Sequence, residues 1–581
     1  MCSALSLDIV PLSFSFIYPF PFLLARDITR KKLLLYIFKV SEEQRTPQTM
    51  EGAPTSSSAP PTAKEAASVT TITVALCGNP RKHHQSFDAL VLEGEEHNKK
   101  VEALQQQTPP TSSHSLPAEE KDSEADSPWR ESLNGVKFRF LFLNYHVEGR
   151  EMVLCPPSAP KGFVEATSKA EEGGRAAAKQ AAPPCPVPAH EVDVVLHKVA
   201  SFGTPDAEQA LVRWCKGVDR HRARRRQPPV IMMDPLEKVG LLTTRSMLCQ
   251  LLDKDEADGR PLALIPRTFL WQRSTQPLEA SALTPVGLRS FALPHDAAQR
   301  DGLWWIAKPE EGTGPAFTHH LVMWHGTEAC VAPAVAAQLP PQSNTFVIQE
   351  FYASALPVVV KVYCIGPRVF IKVNPTIHLL ATLRGSTASV NVPVQMDSQN
   401  RSLFSKEALT TEDGTTYAPA PSALWDRFFA PGTAARANVA QLAANLSSES
   451  GLGLQLFGFD ILLLPRYAAH AHQRDLSKGI GYAAASDHAS TTDAAPHRQE
   501  EAEKYLVRPP SDMFDLASGA ATPLLMESVP IVIDMNFFPG YSGMPSANTD
   551  MMHLIDRQCK SARQAASSTG STSKKRRCKI I

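Results

Sequence analysis

The sequence predicts a mixed α/β protein: an α/β unit toward the amino end, then an α+β body built on a mostly antiparallel sheet. Three observations predict it. Strand-like apolar runs alternate with helical periodicity between residues 136 and 252. From residue 304 onward strong strands follow one another with few helices between them. Pro/Ser/Thr-rich and Ala-rich stretches, poor in large apolar groups, precede and interrupt these segments.

At 581 residues the chain has room for two to four domains, and its hydrophobic fraction of 43% is ordinary for a folded protein. The 48 prolines gather outside the periodic segments, so only part of the chain is expected to fold. Formal net charge is zero, which removes any global bias toward nucleic acid or an anionic membrane. No nucleic-acid partner is expected, and a site for an anionic substrate has to be assembled locally from Lys, Arg and backbone N–H groups. The ten cysteines stand singly from Cys2 to Cys578, without a C-x-x-C pair or a zinc-spaced cluster. That usage fits small, reduced core residues in a cytoplasmic protein. Residues 9–24 are apolar but carry three prolines and no preceding Lys or Arg. They match neither a signal peptide nor a membrane span, so a soluble chain is expected.

Residues 1–130 read as a disordered extension, because Met50 to Asp126 is too polar to offset ordering entropy; one short strand, VTTITVALCG at 69–78, interrupts it. The N-terminal α/β domain spans 131–233. Its first strand is VKFRFLFLNYHV at 136–147, followed by a low-complexity insertion at 157–189. EVDVVLHKVA at 191–200 is the second strand, and PDAEQALVRWCKGVDR at 205–220 has helical spacing. The basic run from Arg220 to Arg226 reads as a solvated turn, with a phosphate-attracting patch as the alternative. PPVIMMDP at 228–235 is the third strand, stopped by Asp234-Pro235, and a helix runs on to Leu252. The second domain spans 234–560. Its strands are WWIAKP, TFVIQEFY, PVVVKVYCIG, RVFIKV, LQLFGFDILLL and PIVIDMNFF, with disordered insertions expected at 396–432 and 466–524.

Asp460, Asp534 and Asn536 carry the chemistry. A carboxylate inside an apolar strand is costly to bury unless it is paired or meets a cation. Asp534 and Asn536 are two apart, so on a strand they share a face. With Asp460 from a neighbouring strand they form the hard-oxygen set that magnesium uses beside nucleotide phosphates. Each Asp alone is more often a strand-end cap or a salt-bridge partner, and only the two together, with an amide in register, bring a metal site level with that reading. Lys308 ends one strand and Lys361 lies within another, so both are expected to point into a cleft rather than a dry core. EEGTGP at 310–315 is a short Gly-containing loop of the kind that lets N–H groups approach phosphate. Phosphoryl transfer needs positioning and charge neutralisation, and these residue types supply both.

In this order the blocks DVVLHK, VIMMDPLEKVGLLTTRS, IAKPEEGTGPAFTHH, VIQEF, KVYCIG, LGLQLFGFDILL and VIDMNFFPGYSGMP resemble the inositol-tetrakisphosphate 1-kinase family, also called inositol 1,3,4-trisphosphate 5/6-kinases. The resemblance implies an ATP-grasp fold with an N-terminal α/β inositol-phosphate-kinase domain. It implies ATP as co-substrate, two magnesium ions, and an inositol tris- or tetrakisphosphate as acceptor. It places Asp460, Asp534 and Asn536 on the metal ligands. Arg245, Lys308, Gln349, Glu350, Lys361 and Thr376 fall on ATP-binding positions. Lys198, His319, Lys361, Asn536 and Gly540 fall on positions around the inositol phosphate, with Lys361 and His319 as the expected catalytic residues. His319 stands eleven residues after Lys308, as in the family. Where family members carry R-P-S-L, this chain has Asn374-Pro375-Thr376-Ile377, and the family's N-terminal substrate lysine has no counterpart near 137–150.

Residues 561–581 read as a basic disordered tail. Its Cys578 and basic run fit a prenylation pattern loosely and suggest weak membrane association; a solvated tail or nuclear signal is the favoured reading. A monomer is expected. Besides the kinase, two other readings stand: an ATP-grasp carboxylate–amine ligase, and an inactive scaffold that binds nucleotide or inositol phosphate.

Overall fold

Alternating Thr and apolar residues make Thr70–Cys77 (β1) a strand whose last six residues are buried. It is the middle strand of a five-stranded sheet with Val136–His146 (β2), Glu151–Cys155 (β3), Val194–His197 (β4) and Ile231–Met232 (β5), in the order β3-β2-β1-β4-β5. β1 runs parallel to β2 and β4, β4 runs parallel to β5, and β3 is antiparallel to β2. The computed structural model describes residues 69–79, 86–106, 133–156, 187–253, 261–273, 283–286, 303–312, 316–326, 331–352, 355–386, 392–410, 414, 416–465, 509–541 and 543–577. All of them lie within one unit running from Ala67 to Ile581.

Helix Asp88–Gln106 (α1) puts Leu90 and Val91 on one face of this sheet, against Ile72, Val74 and Leu76. Helix Pro205–Arg224 (α2) puts Ala207, Leu211 and Val218 on the other, against Ala75, Cys77 and Val195. Thr204 caps α2 through the Asp206 N–H, proline opens its first turn and basic residues close its last, all favourable to the helix dipole. Thr70–Cys77 and Asp88–Gln106 therefore belong to the folded N-terminal domain, which corrects the expectation of disorder at those residues of the 1–130 extension. The polar composition on both sides of β1 hid a strand whose own apolar alternation was plain.

The helix Arg245–Leu252 (α3) leads into a second sheet made of Thr268–Gln272 (β6), Thr284–Pro285 (β7), Leu303–Pro309 (β8), His320–Gly326 (β9), Thr345–Phe351 (β10) and Val394–Asp397 (β13). Its order is β13-β9-β8-β10-β6-β7, with every neighbouring pair antiparallel. A third sheet holds Val358–Ile365 (β11), Arg368–Pro375 (β12), Leu456–Leu464 (β16) and Val529–Phe537 (β17), ordered β12-β11-β16-β17 and again antiparallel. Leu409–Thr410 (β14) and Thr416–Tyr417 (β15) form a small separate pair. The mixed α/β class, with antiparallel sheets following an α/β unit, is the architecture read from the sequence.

Helix Ile377–Ser386 (α4) packs Leu379, Leu380 and Leu383 on Trp304, Ile306 and Met323 of the second sheet. Helices Ser422–Phe428 (α5) and Ala434–Ser447 (α6) cover one face of the third sheet, where Trp425 and Leu446 meet Val360, Val362, Phe459 and Ile461. Trp425, Met513, Phe514 and Leu525 are buried in that core, so the expected insertions at 396–432 and 466–524 are in part structural; residues 466–508 lie outside the described ones. A few large apolar side chains anchor these segments, too sparsely spaced to show a period. The helix Ala547–Arg577 (α7) packs Met551, Met552 and Ile555 on the first sheet and continues through residue 577. The tail is thus helical where a disordered one was expected, and Cys578 and its neighbours lie outside the described residues. Among the described residues no helix is long and apolar enough to cross a membrane.

Candidate functional site

Residues directly opposite on neighbouring strands share a face of the sheet. In the third sheet one such row runs Lys372, Lys361, Asp460, Asp534 across β12, β11, β16 and β17. The next row runs Phe370, Tyr363, Gly458, Asn536. Between them the alternate residues Val362 and Phe459 turn into the helix-covered core. Strand alternation thus explains how charged side chains sit in runs of Val, Ile and Phe: one face is core, the other is the candidate site.

Asp460 and Asp534 face one another in register, and the Lys361 ammonium donates to Asp460 Oδ2 at 2.6 Å. Burial pushes the Asp460 carboxyl above its ordinary range; the Asp534 charge adds to this, while Lys361 opposes it. The ladder between β16 and β17 skips Ile533, since Asp460 pairs with Asp534 but Ile461 pairs with Val532. That bulge releases the Ile533 carbonyl, which accepts a hydrogen bond from Lys308 Nζ at 3.2 Å. Lys308 comes from β8 of the second sheet, so the two antiparallel sheets meet at the carboxylates. Burial lowers the Lys308 pKa, with Asp534 opposing and Arg245 adding to the shift. His319 is half-buried beside β9; burial lowers its pKa first, then the Arg245 charge, while Asp397 and Asp534 raise it.

The donor set fits magnesium. Among the described residues no group of three or more His, Cys, Asp or Glu is placed to hold a metal, so Asp460 and Asp534 need a third oxygen, and Asn536 supplies an amide on the same face. Magnesium takes one or two carboxylates and completes its shell with water and phosphate oxygens. Lys361 occupies one Asp460 oxygen and leaves the other.

The N-terminal sheet closes one end of this face. Lys198 follows β4, donates to Ser86 Oγ at 2.9 Å, and lies over the Phe538 ring at 5.0 Å. Phe538 stands two residues beyond Asn536 at φ 39°, fully buried between Phe87 and Tyr541. Gly540 comes just after, with nothing within 4 Å of where a Cβ would stand, so the chain leaves open space there. Lys198, Asn536 and Gly540 are therefore gathered at one end of the carboxylate face.

The remaining expected residues are committed elsewhere. Arg245 is buried and donates from Nη1 to the carbonyls of Pro309 and Glu311, bracing the segment after Lys308; its Nε has no hydrogen-bond partner. The buried Gln349 amide donates to Thr268 Oγ1 at 3.1 Å and reaches Cys249 Sγ at 3.6 Å. Glu350 pairs with Arg267 at 3.3 Å. These contacts engage both side chains, while the strand's backbone pairs with β6 and β8 on its two sides. Thr376 heads α4, its carbonyl accepting from the Leu380 N–H. The glycine loop at 313–315 lies outside the described residues.

Sequence reading missed four residues here. Lys372 lies in the row of the carboxylates and Tyr363 in the adjacent row with Asn536, and strand alternation from Lys361 points to both. His197 and Asp234, buried between the sheets, carry no such signal. A cavity of about 540 Å³ lined by Trp425, Phe429, Met513 and Lys406 lies on the helix-covered side of the third sheet, away from the carboxylates.

No family model matches the chain, and no curated protein matches it. Among solved structures, D-alanine-D-alanine ligase from Helicobacter pylori is 12% identical, covering 71% of this chain and 100% of its own, with a TM-score of 0.27. The macrocyclase MdnC with precursor peptide MdnA from Microcystis aeruginosa MRC is 11% identical over 68% of this chain and 88% of its own, TM-score 0.30. VanG D-Ala:D-Ser ligase from Enterococcus faecalis is 10% identical over 84% of this chain and 97% of its own, TM-score 0.32. Likenesses this distant carry no argument about activity.

Proposed function

We propose that the chain is an ATP-grasp enzyme that uses magnesium and ATP to phosphorylate an inositol polyphosphate. One observation carries the proposal: Lys361, Asp460 and Asp534 lie in register across three strands, and Lys308 reaches the same point from the opposite sheet. Two cations and two carboxylates at one seam suit a polyphosphate that arrives with its own metal. Asp460, Asp534 and Asn536 are assigned to magnesium, whose chemistry is to neutralise phosphate charge and hold the phosphate oxygens. Lys308 neutralises the nucleotide phosphates from the second sheet. Lys361 is held by Asp460 at the seam, where it stabilises charge on the group in transit. Lys198, at the far end of the same face, anchors a phosphate of the acceptor. In the transfer an acceptor hydroxyl oxygen bonds to the terminal phosphorus, the bond to the bridging oxygen of ADP breaks, and the hydroxyl proton passes to solvent or to a phosphate oxygen. No side chain is assigned as a general base.

The test is incubation of the full chain with magnesium and radiolabelled ATP against a panel of inositol phosphates and a panel of carboxylic acids with amines. Label on an inositol phosphate supports the reading. ADP release that depends on a carboxylic acid, with no labelled inositol phosphate, replaces it with the ligase. ATP binding without turnover of either panel replaces it with the scaffold.

A further inference from the structure

Between the N-terminal sheet and the carboxylate sheet sits a buried polar pair that the proposed chemistry does not use. Asp234 follows β5 at φ 59°, a left-handed backbone that a non-glycine residue adopts at a cost. Its carboxylate accepts two hydrogen bonds, from the N–H of Gln455 at 2.6 Å and of Leu456 at 2.9 Å. Those residues open β16, the strand of Asp460. The Asp234 carbonyl pairs with His197 Nε2 at 2.7 Å. His197 is the last residue of β4, directly before Lys198, and its ring lies 5.2 Å from Phe537, directly after Asn536. Both Asp234 and His197 are almost wholly buried, and His197 Nδ1 has no hydrogen-bond partner.

The geometry points to Asp234 as a positioning residue: through His197 on one side and the start of β16 on the other, it sets the distance between Lys198, which would hold the acceptor, and Asp460. This inference rests on the kinase reading for the role of Lys198. Apolar packing of Phe538, Tyr541 and Leu456 with Val74 and Val194 already joins the two sheets. Apolar contact is tolerant of small slides, whereas a carboxylate bridging two successive N–H groups admits one register. A two-point polar latch inside an apolar interface therefore serves alignment more than cohesion. Burial raises the Asp234 pKa to about 6 and lowers that of His197 to about 4, so the latch holds its charge-assisted bonds at neutral pH.

The experiment compares the full chain with Asp234→Asn, His197→Ala and His197→Gln, the last placing an amide near the lost Nε2. Kinetic constants are measured for MgATP and for the acceptor, and inositol hexakisphosphate binding is followed by calorimetry. Asp234→Asn and His197→Ala should raise the acceptor KM about tenfold or more and leave the MgATP KM within about twofold, whereas His197→Gln should keep both the melting temperature and the acceptor KM of the wild type. Parallel loss of both constants, or an unchanged acceptor KM, overturns the inference. Should the wild-type chain neither phosphorylate nor bind any inositol phosphate, the kinase reading fails by itself. The latch is then judged by amide exchange in Asp234→Asn: joint loss of protection at Gln455–Leu456 and at Val194–His197 upholds it, and loss at Gln455–Leu456 alone overturns it.

Discussion

Asp460 and Asp534 are like charges placed directly opposite one another, an arrangement that strand pairs avoid unless a cation resides there. Lys361 neutralises part of that charge through its bond to Asp460 Oδ2. Asp534→Asn should therefore reduce phosphoryl transfer by roughly a hundredfold or more, while thermal stability without magnesium holds or rises. A thermal scan also reads the metal: MgATP at about a hundred times its Kd should raise wild-type stability by about 2.7 kcal/mol, and much less in Asp534→Asn. Equal shifts in the two proteins would remove Asp534 from the metal site. Lys308→Met keeps the stem and drops the charge, so it should raise the KM for ATP with little loss of fold. Asp460, Asp534, Lys361 and Lys308 were legible because a charge in an apolar strand is conspicuous. Gln349 and Glu350 were not: a spacing match names the position, while only packing shows that Thr268 and Arg267 already claim the side chains.

At the scale of elements, β16 runs between two crowded neighbours. A Cβ on Gly458 would stand 3.0 Å from the Val362 carbonyl and 3.1 Å from Pro539 Cγ. Gly458→Ala should cost about 1–3 kcal/mol in urea unfolding, and should lower activity because Gly458 faces Asn536; an unchanged midpoint would contradict that packing. The joint between β4, β5 and β16 has its own pH signature. The unfolded chain protonates His197 below about 6.5 and the folded chain only near 4, so this stability is present above pH 6.5 and is lost as pH falls toward 4. Asp234 runs the other way: its folded pKa is raised from 3.8 to about 6, so its contribution is full below about 3.8 and lost as pH rises through about 6. The two offset each other over one window. In Asp234→Asn only the His197 contribution remains, and stability should fall more steeply than wild type between pH 7 and 4, by on the order of 3 kcal/mol. Parallel urea-melt profiles for the two proteins would reject this.

For the whole molecule, β1 carries the N-terminal domain back beyond residue 131. It is the middle strand of the first sheet, bonded to β2 and β4 on its two sides. A chain starting at residue 67 keeps every described element and should melt cooperatively, whereas one starting at 131 lacks β1 and α1 and should express as an aggregating or partly folded species. Cooperative melting of the shorter chain would show β1 to be dispensable. Alternation and composition determined the α/β class, the strands of the antiparallel sheets, and the candidate metal ligands, because each of these is written within a dozen neighbouring residues. Tertiary structure decided the rest. It placed β1 at the centre of a sheet, drew Trp425 and Phe514 out of apparent insertions into a core, and released the Ile533 carbonyl to Lys308 through a bulge. It also joined His197 to Asp234 across the interface between two sheets. These are pairings between residues tens to hundreds of positions apart, and a local pattern holds no record of which distant surface a side chain will meet.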